Sequence, residues 1–277
     1  MHEKSGFHLA CCSASNIIGV GKTDSQLRSI QPELDKLEGP YDLILLPEMW
    51  ATGFTMNPEA HACVLRLGWN DDEMHWPAPL TAMRKWANEQ NAAIIGSLAC
   101  RDEALEHAVN RCFFVPPTGP IQYYDKRHLF AFAGEDRAYS SGNMPLIVEW
   151  RGWRILLQVC YDLRFPVFSR NRAADPYDSA IYVANWPASR AKAWSSLLAA
   201  RAIENQCYIA GVNRVGLDGN GIEYSGRSAL IDPYGNTQSV LNPSESGWLF
   251  GKWDRNALNG YRAKFPVLDD ADHFSLT

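Results

Sequence analysis

Along the chain, short continuous apolar runs alternate with stripes of apolar residues at helical spacing. Residues 7–14 predict a first strand, and residues 24–37, with Leu27, Ile30, Leu34 and Leu37 on one face, predict a helix after it. The run Leu43-Ile44-Leu45-Leu46 predicts a strand covered on both faces and stopped by Pro47. Residues 61–79 carry tryptophan, histidine and acid without a period and predict a surface loop. A helix over 80–90 and a strand over 92–99 follow, with Gly96 marking a close backbone approach. Residues 109–116 and 121–124 predict an antiparallel pair across Pro117-Thr118-Gly119-Pro120. Residues 132–139 look like loop, and 146–150 turns at Arg151-Gly152 into 153–160 as a hairpin. The remainder predicts a strand at 179–184, a helix at 191–205 and a strand at 207–215. A glycine-rich loop at 216–226, a hairpin at 227–241, a closing strand at 247–253 and a short helix at 256–263 complete it. No repeat or low-complexity linker interrupts this order. One α/β domain over 1–277 is expected, with its core at about 7–255 and a C-terminal helix and tail at 256–277.

Composition narrows the class of partner. Apolar residues are 46% and charged residues 21% of 277, ordinary for a globular chain with a large core. A net charge of −5 without a lysine or arginine run disfavours nucleic acid and anionic membranes, so the expected partner is a small molecule or another copy of the chain. The seven cysteines, Cys11, Cys12, Cys63, Cys100, Cys112, Cys160 and Cys207, are odd in number and include no Cys-x-x-Cys. Neither a disulfide framework nor a metal site is indicated, and reduced thiols in a cytoplasm are expected. No stretch matches a signal peptide or a membrane span.

Three strand ends carry candidate chemistry. Ile155-Leu156-Leu157-Gln158-Val159 runs into Cys160 and then into Asp162, Arg164 and Pro166, which is how a buried strand delivers a reactive side chain at its carboxyl end. Cys160 is the candidate nucleophile, although an unpaired cysteine also serves as a small core hydrophobe. Glu48 emerges behind Pro47 at a second strand end, and a loop acid is the plain alternative. Lys126 ends a third strand in Tyr124-Asp125-Lys126-Arg127-His128, where a solvated lysine is the default. Gly19-Val20-Gly21-Lys22-Thr23 imitates a phosphate-binding loop, but the glycine such a loop needs is replaced by Asn16. A papain-like arrangement is disfavoured, because His273 is the only histidine after Cys160.

Taken together, L-L-P-E-M-W-A-T-G-F around Glu48, Y-D-K-R-H-L-F around Lys126 and Q-V-C-Y-D-L-R-F-P around Cys160 resemble the nitrilase superfamily of carbon-nitrogen hydrolases. Y-V-A-N-W-P at 182–187, R-A-I-E-N-Q at 201–206 and N-R-V-G at 213–216 extend the resemblance over nearly the whole chain. It is nearest the bacterial omega-amidase branch. The resemblance implies a single-domain four-layer α-β-β-α sandwich, commonly paired into homodimers, with no cofactor. It also implies hydrolysis of the terminal amide of small ω-amido-2-oxo acids such as 2-oxoglutaramate and 2-oxosuccinamate. Alternatives are a deaminated-glutathione amidase, a nitrilase, an N-carbamoyl hydrolase, or an acyl-thiol or small-molecule binding protein without turnover.

The residue types suit acyl transfer. A cysteine with a pKa near 8.5 needs a base and positive potential to attack an amide, and Glu48 is the only one of the three able to take its proton. Lys126 and the backbone N–H of Tyr161 could hold the oxyanion, leaving a thioester on Cys160 that water then opens. The resemblance implies a second glutamate, matched by Glu135, that positions Lys126. Trp186 looks like a pocket wall. Asp162 and Arg164 are expected to pair or to brace the turn after the thiol, and Arg190 or Arg164 to receive the substrate carboxylate. Loop 57–76 is expected to influence substrate choice.

Overall fold

In the computed structural model, which describes residues 6–13, 20–105, 107–272 and 274, the first half of the chain builds one sheet and its outer helices. In order these are β1 (Phe7–Ser13), α1 (Thr23–Leu34), β2 (Leu43–Leu45), α2 (Pro58–His61) and β3 (Cys63–Leu65). There follow α3 (Ala78–Gln90), β4 (Ala93–Asp102), β5 (Ala108–Val115) and β6 (Gln122–Asp125). A short α4 (Glu135–Ala138) leads into the second half, with β7 (Leu146–Trp150), β8 (Trp153–Val159), β9 (Ser179–Ala184), α5 (Ala191–Asn205) and β10 (Tyr208–Asn213). After β11 (Val215–Leu217) and β12 (Glu223–Ser225) come β13 (Ala229–Ile231), β14 (Thr237–Val240), β15 (Gly247–Trp253) and α6 (Arg255–Lys264).

Two sheets result. One runs β15-β1-β2-β4-β5-β6 with β3 beside β4, and the other runs β14-β13-β10-β9-β8-β7. Strand alternation explains how they stack. Phe7, Leu9 and Cys11 of β1, with Leu43 and Leu45 of β2, pack in the same core as Ile155, Leu157 and Ile181 of the second sheet. The intervening Ala10, Cys12 and Ile44 face the other way, onto Ile30 and Leu34 of α1 and Leu80, Met83 and Trp86 of α3. Trp194, Leu198 and Ala202 of α5 cover the second sheet from outside. The layers are therefore α-β-β-α, the sandwich the resemblance implies.

Several short elements escape the sequence pattern. The loop expected at 61–79 contains β3, whose three residues pair Cys63 with Cys100 of β4, and a 3-10 turn at Glu73–His75. The stretch 132–139 contains α4, and the loop at 216–226 is largely the β11–β12 ribbon. Each is too short to show a period and is held by its neighbours, not by its own propensity. The helix expected to reach Leu37 stops at Leu34. Asn16 to Gly19, the start of the phosphate-loop imitation, and His273 with residues 275–277 of the tail lie outside the described residues.

β1, β2 and β4 are parallel neighbours, as are β8, β9 and β10, so each sheet gathers several carboxyl ends along one edge. Gly96 on β4 allows the segment after β2 to lie close against the sheet. A Cβ there would meet Leu46 Cβ and Trp50 Cδ1, each at 2.9 Å. Gly96→Ala is expected to destabilise the fold by about 1–3 kcal/mol through overpacking, measured by denaturant unfolding; an unchanged midpoint would contradict this.

Candidate active site

Glu48, Lys126 and Cys160 follow β2, β6 and β8, and all three meet. Leu46 N–H donates to Ile95 O at 2.7 Å and Met49 N–H to Ser97 Oγ at 2.9 Å, which docks the Glu48 segment on β4. Glu48 is fully buried. Its Oε1 accepts from Lys126 Nζ at 2.9 Å and Asn110 Nδ2 at 2.8 Å, and its Oε2 from Asn185 N–H at 2.8 Å. Asn185 Nδ2 donates in turn to the Glu48 carbonyl at 2.9 Å, so the residue after β9 holds both ends of the glutamate.

Lys126 is equally buried and lies between two carboxylates. Its ammonium donates to Glu135 at 2.8 and 3.0 Å as well as to Glu48. Glu135 is fixed by Phe130 N–H at 2.6 Å and by Asn110 Nδ2 at 3.1 Å. Burial alone would lower the lysine pKa, but Glu135 first, then Glu48 and Cys160, outweigh it and hold the group well above its ordinary 10.5. The ammonium is a fixed charge at any working pH.

Cys160 opens a 3-10 turn, Cys160–Arg164, with φ of +46°, a conformation that non-glycine residues adopt rarely and at some strain. The abrupt bend ends the strand and sets the thiol within the electrostatic reach of Glu48. Burial, then the Glu48 carboxylate and Glu135, push the thiol pKa well above 9.0 against the opposing pull of Lys126. The resting sulfur is thus a protonated thiol beside a carboxylate able to receive its proton.

Cys160 and Lys126 form the floor of a cavity of about 770 Å³. Its walls include Tyr161, Arg164, Trp186 and Arg190, together with Asn57 and His61 from the segment expected to influence substrate choice. No aspartate or glutamate among the described residues lines it. Arg164 lies over the Trp186 ring at 4.9 Å, and Arg190 over Phe130 and Phe132 at 5.3 and 5.1 Å. Neither arginine has a carboxylate partner among the described residues. Cations laid on aromatic faces keep their N–H groups available for an anion.

Sequence reasoning brought Glu48, Lys126, Glu135 and Cys160 to one cluster and Tyr161, Trp186 and Arg190 to its cavity. Of the two expectations for Asp162 and Arg164, pairing is not seen: Arg164 lies on Trp186, while Asp162 binds Val159 N–H and groups near Lys126. A buried carboxylate that already accepts from four donors has no need of the half-buried guanidinium. Asn110 was not singled out by the sequence; it stands beside Arg111 in β5, two polar residues within an otherwise apolar strand, and that interruption was the available signal. Asn185 stands in the Y-V-A-N-W-P stretch that extends the resemblance, but its grip on Glu48 depends on contacts between sheets.

Comparison with known proteins agrees with this geometry. A family model described as carbon-nitrogen hydrolase matches residues 32–263. The chain is 46% identical over 252 residues to the protein named omega-amidase YafV of Escherichia coli, covering 91% of this chain and 92% of that one. It is 30% identical over 258 residues to the 2-oxoglutaramate amidase of Bacillus subtilis, covering 91% and 93%. The crystal structure of XC1258 from Xanthomonas campestris, a CN-hydrolase superfamily protein with an arsenic adduct in its active site, superposes with a TM-score of 0.87 at 40% identity, covering 100% of both chains.

Because the resting thiol is protonated, its thiolate fraction grows about tenfold per pH unit below its pKa. Alkylation of Cys160 by iodoacetamide in the free protein is therefore expected to climb continuously from pH 7 to 9, followed by mass spectrometry. A rate that levels off below about pH 8 would contradict the raised thiol pKa.

Proposed function

The chain belongs to the carbon-nitrogen hydrolase family, and from that premise we propose that it hydrolyses the terminal amide of small ω-amido-2-oxo acids to the acid and ammonia. The observation that carries the reading is the convergence of a thiol, a carboxylate and a buried ammonium, with the thiol and the ammonium on the floor of a cavity whose charged wall residues are cationic. Relatives named omega-amidase and 2-oxoglutaramate amidase support the choice of amide.

In this mechanism the Cys160 sulfur attacks the amide carbon as its proton passes to Glu48. The carbonyl oxygen takes up the negative charge and is held by the Lys126 ammonium and the backbone N–H of Tyr161. One such donor is typically worth about 10²–10³ in rate. Glu48 returns the proton to the nitrogen, the C–N bond breaks, and ammonia leaves a thioester on Cys160. Glu48 then takes a proton from water, which opens the thioester and regenerates the thiol. Glu135 and Asn110 keep Lys126 and Glu48 in register. Arg190 and Arg164 receive the substrate carboxylate, with Trp186 as the apolar wall beside the chain of the substrate.

Cytoplasmic location and pairing into a homodimer belong to the same proposal. All seven cysteines are buried and unpaired, as a reducing compartment leaves them, and no helix among the described residues is long and apolar enough to cross a membrane. Half-exposed Ile203 on α5 and Phe265 after α6 leave apolar surface on one outer layer. Sedimentation equilibrium is expected to give the mass of two chains; a single-chain mass at micromolar concentration would remove the dimer.

The activity is tested by ammonia release from 2-oxoglutaramate and 2-oxosuccinamate beside neutral amides, nitriles, N-carbamoyl amino acids and deaminated glutathione. Turnover is expected to favour the two oxo-acid amides, and Cys160→Ala to abolish it while circular dichroism stays native. Preference for a nitrile or carbamoyl substrate would overturn the substrate assignment. More than a trace of activity in Cys160→Ala would overturn the nucleophile.

A further inference from the structure

Asp162 is a fully buried carboxylate that the mechanism above leaves without a task. Asp42, Asp102, Asp178, Glu48 and Glu135, also buried, each face an arginine or lysine. Asp162 faces neither among the described residues. Its Oδ2 accepts from the Tyr124 hydroxyl at 2.8 Å and from Val159 N–H at 3.0 Å. Its Oδ1 accepts from His128 N–H at 3.0 Å and from His128 Nδ1–H at 2.8 Å. Four donors use the lone-pair directions of an ionised carboxylate, which accounts for its burial without a cation.

The position of those donors carries the inference. Val159 immediately precedes Cys160. Tyr124 and His128 stand two residues before and two residues after Lys126. β6, which delivers Lys126, belongs to one sheet, and β8, which delivers Cys160, to the other. A single carboxylate thus ties the backbone around the thiol to the backbone around the ammonium, across the join between sheets. Further contacts run the same way. The Tyr124 hydroxyl accepts from Arg127 N–H at 3.0 Å, and the His128 ring stacks on Phe165, just past the thiol's turn, at 3.9 Å and 7°.

We propose that Asp162 is a positioning residue that sets the separation and angle between the Cys160 sulfur and the Lys126 ammonium, acting through Val159, Tyr124 and His128. The proposal rests on the reading of Cys160 as nucleophile and Lys126 as the cation that holds the oxyanion. Thiol and ammonium must straddle one carbonyl group, with the sulfur meeting its carbon while the ammonium meets its oxygen. A left-handed non-glycine backbone such as that at Cys160 persists where its surroundings over-determine it, and Asp162, in the same turn, links that turn to Tyr124 and His128 of the Lys126 segment. Misplacement by about 1 Å between such groups costs about 10²-fold in rate.

The test uses Asp162→Asn and Tyr124→Phe. Asparagine keeps the shape but presents an NH₂ group to two of the four donors, and phenylalanine removes one donor from an intact carboxylate. Asp162→Asn is expected to lower kcat for ammonia release about 10²-fold and Tyr124→Phe about tenfold, with KM moving less than about threefold in both. The double variant should lose less than the product of the two, because both act through one contact. Alkylation of Cys160 by iodoacetamide needs the thiol but not the oxyanion cation, and should stay within about threefold of wild type. A folded Asp162→Asn with kcat within about threefold of wild type would overturn the proposal, as would alkylation falling in parallel with kcat. If Asp162→Asn does not fold, Tyr124→Phe decides by the same criteria. Turnover retained in Cys160→Ala would instead remove the underlying reading, while an inactive Cys160→Ala with wild-type kcat in the Asp162 and Tyr124 variants removes this inference alone.

Discussion

The site is built round one buried ammonium held by two carboxylates. Lys126 has no exposed surface, and neither have Glu48 and Glu135. Taking one such charge out of water costs several kcal/mol, and close opposite charges with further hydrogen bonds are what offset that cost. Those bonds come from Asn110, Asn185 and Phe130, so the loop after β2, the loop after β6, the start of α4 and the end of β9 are all fixed by the same requirement. With a neutral thiol beside it, the cluster carries one surplus negative charge. Moving the proton from Cys160 to Glu48, forming an oxyanion, and returning the proton to nitrogen all leave that total unchanged. A low-dielectric interior resists changes of net charge, and this reaction course makes none before ammonia has left.

Most of that arrangement could be read from the chain, for a physical reason. Glu48 and Cys160 each follow a strand whose apolar run announces burial, and an ionisable group at the end of such a run has only a few places to go; Lys126 follows the more polar β6 and was legible only as a strand-end residue within its motif. Glu135 was harder, since α4 is a single turn and its acid looks like any loop acid until Lys126 is beside it. Asn110 and Asn185 act between elements far apart in sequence, at 62 and 137 residues from Glu48. No local period encodes such contacts. The same holds for Asp162: its neighbours in sequence suggested a partner in Arg164, whereas Tyr124 and His128 reach it from the segment of the other sheet.

Strand direction explains why the two sheets can share one centre. The parallel runs β1-β2-β4 and β8-β9-β10 send several carboxyl ends to one edge, and the polar side chains that terminate them would be costly anywhere deeper. Between the sheets the core is apolar, from Leu9 and Leu43 to Ile155 and Ile181. The join at the active edge is instead made by hydrogen bonds, through Asn185 to Glu48 and through Asp162 to Tyr124 and His128. Apolar packing tolerates small slips of one sheet over the other, while hydrogen bonds of 2.8–3.0 Å do not. Placing directional contacts at this edge confines alignment to where the chemistry needs it.

Charge is also divided within the site in a way that selects substrate. The surplus negative charge of the buried cluster would repel an anionic substrate, by about 4 kcal/mol for unit charges 4 Å apart at an effective dielectric of 20. On the proposed function, Arg164 and Arg190 oppose that field at the cavity wall, which no acid lines among the described residues. An amide whose carboxylate sits next to the scissile bond would meet the cluster's repulsion, whereas one whose carboxylate lies several carbons away can place it on the arginines. On the proposed function, guanidinium groups on the cavity wall favour an ω-amide over an α-amide, and the aromatic rings beneath them leave their donors available.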